Sequence, residues 1–246
     1  MRKILLIMAA MLSLTAMAQV KVMVYLKSGN MEMYDKTDVD SITFGVKEDT
    51  DIYGGHEYVD LGLPSGLKWA TCNIGADTPE GYGDLYEWGE TETRTKYGNE
   101  NKYLANGQAT KYNDEDGKTV LDPEDDVACV KWGEAWRMPT IEEFRELFSE
   151  CQSVAENFGG VRGARLTGPN GNSIFIPLAG YCMGSSVSSQ GYAGSYWSSS
   201  RYEENEMSYN PSNKDKGMIL SLSYGCKSSF TTQNRSMGCS VRAVVK

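Results

Sequence analysis

Hydrophobic and polar positions first alternate between residues 20 and 26, where Val20, Val22, Val24 and Leu26 interleave with Lys21, Met23 and Tyr25. A period of two is the pattern of a half-buried strand. "KSGN" then supplies turn residues and "MEMY" a returning strand, so the stretch predicts a β-hairpin. "VDSITFG" predicts a third short strand. A hairpin this small is not stable alone, and it is expected to pack on a main domain or on a partner. "KEDTDIYGGHE" (47–57) reads as a linker. The division expected is an N-terminal hairpin element at 19–46, a linker at 47–57 and a main domain at 58–246.

Within that domain, "EYVDLGLPSGLKWATCNIG" holds two strand-like pieces around the turn "LPSG". Residues 76–135 are rich in Gly, Asn, Asp and Glu, and they show no regular period. They read as loops with at most short elements, and a loop region that long is usually functional or firmly tied down. One helix is predicted at about 140–152. Thr140 and Glu143 form a capping box, the hydroxyl accepting from the N3 amide while the carboxylate reaches back to the cap amide. Ile141, Phe144, Leu147, Phe148 and Cys151 then fall on one face at helical spacing, a core stripe. "VAENFGG" ends the helix with glycines, and "SIFIPLAGY", "MILSLSY" and "CSVRAVVK" follow as strands. No internal repeat is present. Strands, long loops, one helix and a strand-rich end make an α+β chain.

The first residues have a different pattern. Arg2 and Lys3 precede the apolar run "ILLIMAAMLSLTAMA", which ends at Ala16-Met17-Ala18. This predicts a secretory signal peptide over 1–18, cleaved between Ala18 and Gln19. The run is short for a membrane span, no second one follows, and no cysteine at the cleavage point invites a lipid anchor. The mature chain is expected to be periplasmic, on the cell surface or secreted. Cleavage takes Lys plus Arg from 24 to 22 against 33 acids, a formal charge of about −11. That balance opposes nucleic-acid binding, which needs a basic face to displace counterions, and docking on anionic membranes.

Cysteine and histidine narrow the chemistry. The six cysteines (Cys72, Cys129, Cys151, Cys182, Cys226 and Cys239) allow fifteen full pairings, and none forms a C-x-x-C pair. Zinc-ribbon and thioredoxin readings therefore have no support. The single histidine, His56, rules out a multi-His metal site. It also leaves no spare base for a Ser-His or Cys-His pair.

The phrases "EYVDLGLPSGLKWATCNIGA", "GDLYEWGET", "LDPEDDVA…WGEAWRMPTIEEFREL", "LTGPNGNSIFIPLAGY", "GSYWSSS" and "RSMGCSVRAV" follow one another in that order. Together they resemble the Fibrobacter succinogenes major paralogous domain family of exported Bacteroides-type proteins, over roughly 56–246. "DVDSITF" resembles the short leader element of such proteins. The resemblance implies a C-type-lectin-like fold with small twisted antiparallel sheets, a helix after "WRMPT", and first and last strands paired. It also implies kinship with the formylglycine-generating enzyme and with variable receptors. Formylglycine-type relatives use a close cysteine pair, but Cys226 and Cys239 stand thirteen apart and the residues between do not match. Iron-dependent relatives need several histidines. No enzyme is expected, and a formylglycine-type oxidase ranks last among the readings. Cys226 and Cys239 as a loop-closing disulfide stays open.

Two clusters remain as candidate sites. "NDEDGKTVLDPEDD" (113–126) gathers acids, with Asp122, Glu124, Asp125 and Asp126 the possible calcium ligands. The same stretch reads as a solvated acidic loop, with Asp122 or Asp125 capping the next turn. No other cofactor is indicated. From Tyr196 to Arg235 the chain is rich in Tyr, Ser and Asn, the composition of adaptable binding surfaces. Within it, "GSYWSSS" reads as a structural signature that half-buries Trp197, and "RYEENEMSYN" as the recognition loop. The candidate contact set is Trp197, Arg201, Tyr209, Asn210, Tyr224, Asn234 and Arg235. The expected function is non-enzymatic recognition of a glycan or protein ligand at the cell surface. The alternative is a structural or assembly subunit whose hairpin docks on a partner sheet.

Overall fold

The structure, a computed structural model, describes residues 21–25, 31–35, 50–98, 100–203 and 215–246. The chain divides into two compact units, residues 1–47 and 48–246. In the first unit, β1 (Lys21–Tyr25) and β2 (Met31–Asp35) pair antiparallel, with Met23 opposite Met33. This is the hairpin the alternation predicts, and Lys21 and Asp35 form an ion pair at its open end. The signal segment with Ala18 and Gln19, and the third strand expected at "VDSITFG", lie outside the described residues.

The second unit opens with a correction. The segment read as a linker is itself sheet: β3 (Thr50–Tyr53) pairs antiparallel with β4 (His56–Asp60), Tyr53 opposite His56. Gly54 and Gly55 connect them with φ of 58° and 87°. Two consecutive positive φ values make the tight turn whose twist matches a hairpin. The β5 strand (Lys68–Asn73) joins β4 across the predicted "LPSG" turn, where the Gly66 amide donates to Leu63 O at 2.9 Å.

Residues 76–135 carry only short elements, as expected. These are a two-residue ladder of β6 (Leu104–Ala105) and β7 (Gln108–Ala109), a 3-10 turn at Pro123–Asp125, and α1 (Val127–Trp132). The predicted helix follows as α2 (Ile141–Glu150) with both halves of its capping box formed. Ile141, Phe144, Leu147 and Cys151 are buried and Phe148 is partly buried. The helix stops earlier than predicted. "VAENFGG" does not terminate it but belongs to β8 (Gln152–Phe158), which turns through Gly159 and Gly160 into β9 (Val161–Thr167). A Gly-Gly pair after a strand makes a hairpin; the sequence reading took it for a helix stop.

The third strand of that meander is β10 (Ser173–Pro177), followed by the small β11 (Tyr181–Met183) and β12 (Ser186–Ser188) pair. Then β13 (Ala193–Arg201), β14 (Lys216–Ser223) and β15 (Lys227–Asn234) form a three-stranded sheet. The last strand, β16 (Arg242–Val245), returns to β5 and completes the order β16-β5-β4-β3. Small antiparallel sheets, one main helix and long loops make this an α+β unit. One apolar cluster packs Phe144 and Leu147 of α2 against Trp69, Leu166, Ile176, Tyr196, Leu220 and Val244. The other gathers Trp88, Tyr112, Trp136, Trp197 and Val241 beneath the loop region.

Candidate functional site

The predicted contact set does not form one surface. Trp197 is fully buried, and its Nε1 donates to Tyr86 O at 2.7 Å. The serines beside it can lie inside because their hydroxyls are satisfied, Ser198 donating to Met218 O and Ser199 to Pro139 O. Arg235 is fully buried as well, stacked over Trp88 at 4.5 Å and donating to the carbonyls of Lys111 and Tyr112. It is a clamp on the loop region, not a ligand contact. Arg201, partly buried, pairs with Asp114 at 2.8 Å. Arg201 and Asn234 lie near one end of the β13–β14–β15 sheet, opposite Gly217 and Lys216. Tyr224 is exposed at the other end, an eight-residue strand away, or about 25 Å. Tyr209 and Asn210 lie outside the described residues.

The acidic loop is a packed hub. Oxygens of Asp122, Glu124 and Asp125 lie within 4.8 Å of one another. Lys111 Nζ stands among them, 2.7 Å from both Asp122 and Asp125. The buried Asp125 also accepts from Lys102, Tyr103 and Tyr112. Burial pushes its carboxyl up, but these four donors outweigh burial and hold it well below the usual carboxylate range. Asp126 stands apart: it caps α1 through the amides of Ala128 and Cys129 and accepts from Met138 N at 2.7 Å. Burial pushes it up to about 6. Asp122 does stand at the N-cap of the 3-10 turn, as the sequence suggested, but without a side-chain cap bond; the aspartate that caps through its side chain is Asp126. A calcium ion on Asp122, Glu124 and Asp125 would have to displace the Lys111 ammonium, and Asp126 would not join it.

All six cysteines are free. Cys239 is fully buried in the second apolar cluster, while Cys226 packs at the edge of the first, so the loop-closing disulfide is not formed.

The concave site lies elsewhere. A cavity of about 470 Å³ opens between the β3–β4 turn, the end of β5 and the end of α1. One wall is aromatic: the His56 and Trp132 rings stack with centroids 3.9 Å apart and planes 13° from parallel. Trp136 braces both rings edge-on and donates from Nε1 to Tyr53 O at 3.2 Å, which fixes the turn carrying His56. Four of the five tryptophans are fully buried; Trp132 is the one left half-buried. The remaining lining is polar and small, with Glu57, Thr71, Cys72 and Asp77 beside Gly75, Ala76 and Pro79. Neither Glu57 nor Asp77 is paired with a basic side chain among the described residues. Burial lowers the His56 pKa, so the ring is neutral at neutral pH, with one nitrogen donating and one accepting. An aromatic wall in a cavity whose lining also includes acidic residues and a threonine suits a ligand with one apolar face and many hydroxyls.

The sequence reading missed this site for two reasons. His56 fell in the segment taken as a linker, although "YGGH" carries a hairpin-turn signal. Trp132 ends a six-residue helix too short to show a period. The chain matches no family model, no curated protein and no solved structure. No helix among the described residues is long and apolar enough to cross a membrane.

Proposed function

We propose that this chain is an exported, non-enzymatic recognition module of C-type-lectin-like fold, and that the cavity beside Trp132 takes a glycan. The observation that carries the reading is the stacked His56–Trp132 wall of a cavity whose lining is otherwise small and polar. Sugar rings offer C–H faces to aromatic surfaces and hydroxyls to carboxylates, and the cavity volume falls within the range of small-molecule sites, about 300–1,000 Å³. The lectin-like assignment draws support from α2 following "WRMPT" and from the return of β16 to the sheet that opens the unit. Export rests on the signal pattern of residues 1–18.

The test is a glycan-array screen, followed by calorimetry on each hit with wild type and Trp132→Ala. The variant is expected to keep its fold, because the ring is partly exposed, and to lose about tenfold or more in affinity. An array without hits, or equal affinity in the variant, overturns the proposal.

A second reading comes from Cys72, whose thiol shares the cavity with His56. A thiol nucleophile needs its base within hydrogen-bond reach, yet the neighbour of this sulfur is Thr71 Oγ1 at 3.5 Å. Recognition is therefore the stronger reading, and unchanged glycan binding in Cys72→Ser would separate the two.

A further inference from the structure

A second surface feature shares no residue with the cavity. Tyr192 precedes β13 and Tyr224 sits in the β14–β15 turn, and they are 67 % and 63 % exposed. Between them lies the guanidinium of Arg162 on β9, with Cζ 5.4 Å from one ring centroid and 5.3 Å from the other. Large aromatics left this open to water are unusual in a unit that buries four tryptophans.

The three side chains come from segments that backbone bonds hold in place. The Tyr224 amide donates to Tyr192 O at 2.9 Å, and the Tyr192 amide to Ser189 O at 2.9 Å. Leu178 is the shared anchor: its amide donates to Arg162 O at 2.8 Å and its carbonyl accepts from Gly191 N at 2.7 Å. The loop before β13 and the start of β9 are therefore tied to one residue. Such fixed backbones lower the ordering cost of binding.

The charge of Arg162 is unanswered. Arg94, Arg137, Arg145, Arg165 and Arg201 each pair with a carboxylate, and the buried Arg235 and Arg242 donate to carbonyls. Among the described residues, Arg162 is the one arginine whose guanidinium has neither. In a chain with 33 acidic and 24 basic side chains, an exposed arginine without a carboxylate is conspicuous. A guanidinium over aromatic faces keeps its N–H edge free, and that edge matches a carboxylate with two parallel hydrogen bonds.

We propose that Tyr192, Arg162 and Tyr224 form a second ligand site, specific for a carboxylate-bearing sugar residue. Arg162 takes the carboxylate bidentately, and the tyrosines supply flanking ring faces for the pyranose and hydroxyls for its polar edge. An acidic peptide would satisfy the charge and leave the paired rings unused, so the sugar acid is the better fit. The site stands independently of the glycan proposed for the Trp132 cavity.

The experiment is titration of the full mature chain, by calorimetry or ligand-observed magnetic resonance. The probes are methyl glucuronide, its uncharged methyl ester, N-acetylneuraminic acid and a hexaglutamate peptide. At least one of the two sugar acids is expected to bind, and to weaken as salt rises, while the ester does not bind. Arg162→Gln is expected to lose about tenfold or more, and Arg162→Lys to lose part, since it keeps the charge and loses the fork. Tyr192→Ala weakens the sugar acid without creating affinity for the ester. Trp132→Ala leaves all of this unchanged, so failure of the cavity reading is distinguishable from failure of this one. Circular dichroism checks that each variant is folded. The proposal is overturned if no sugar acid binds, if the ester binds as well as the acid, if Arg162→Gln binds like wild type, or if hexaglutamate binds as tightly as the sugar acid.

Discussion

Glu87 is 2 % exposed, and its Oε1 has no hydrogen-bond partner. Its other oxygen has only long contacts, 3.5 Å each, to Asn101 Nδ2 and Arg94 Nε. Arg94 is committed elsewhere, gripping both oxygens of Glu90 at 2.7 and 2.9 Å. Burial therefore outweighs the nearby guanidinium and pushes the Glu87 carboxyl up to about 8. The folded state holds this proton more tightly than the unfolded chain, whose glutamate titrates near its usual 4.5. The contribution to stability is present below that value and is lost as pH rises toward about 8. Glu87→Gln keeps the shape of the protonated acid and removes the titration. The variant is expected to melt with wild type at pH 5 and about 5 °C above it at pH 8; parallel melting curves at both pH values would refute the argument.

At the element scale, α2 was legible because its signals are local: a cap, an acid three residues on, and an apolar stripe. The β3–β4 and β8–β9 hairpins were misread for one reason. Gly-Gly in isolation reads as part of a linker in one place and as a helix stop in the other, and the strands on both sides make it a turn. The loop region was illegible because its order is bought by distant partners. Arg235 reaches back to Lys111 and Tyr112, while Asp125 collects two lysines and two tyrosines. Composition likewise could not sort the contact set, since Tyr and Ser around a tryptophan describe the interior of β13 as well as a binding surface. Asp125→Asn tests the hub. It keeps the volume of Asp125 but removes the counter-charge of Lys102 and leaves Lys111 with Asp122 alone at close range. Because both lysines reach solvent and can be rehydrated, the cost is roughly 1–3 kcal/mol, below that of a fully buried pair. The expected result is a lower melting temperature together with early proteolytic cleavage in residues 103–118, while the fragment carrying α2 and the sheets persists. A variant as resistant as wild type would show that the hub does not hold the loop.

For the whole molecule, the two ends of the chain have opposite structural weight. All four residues of β16 are buried, and the strand pairs with β5 on one side. On the other, Arg137 and Val244 exchange two backbone hydrogen bonds, at 3.0 and 2.9 Å. From β16, the Arg242 side chain donates to the carbonyls of Ala70 and Thr71 on β5 and of Phe175 on β10, and to Asn73 Oδ1. Four residues at the end of the chain thus join the opening sheet, the "WRMPT" segment and the central meander. Residues 1–47, by contrast, form a separate compact unit. A chain lacking 242–246 is expected not to fold, because it exposes the core and orphans the carbonyls that Arg242 satisfies. A chain starting at residue 48 is expected to melt within about 2 °C of one starting at Gln19, roughly the shift of 1 kcal/mol or less. Size-exclusion chromatography of the same pair reads the role of the hairpin. If the longer chain assembles and the shorter stays monomeric, the β1–β2 pair is the assembly element, because a two-stranded ribbon gains stability by adding strands from a partner. If the shorter chain melts far below the longer, the hairpin is instead part of the folded domain, and the division at residue 47 is wrong.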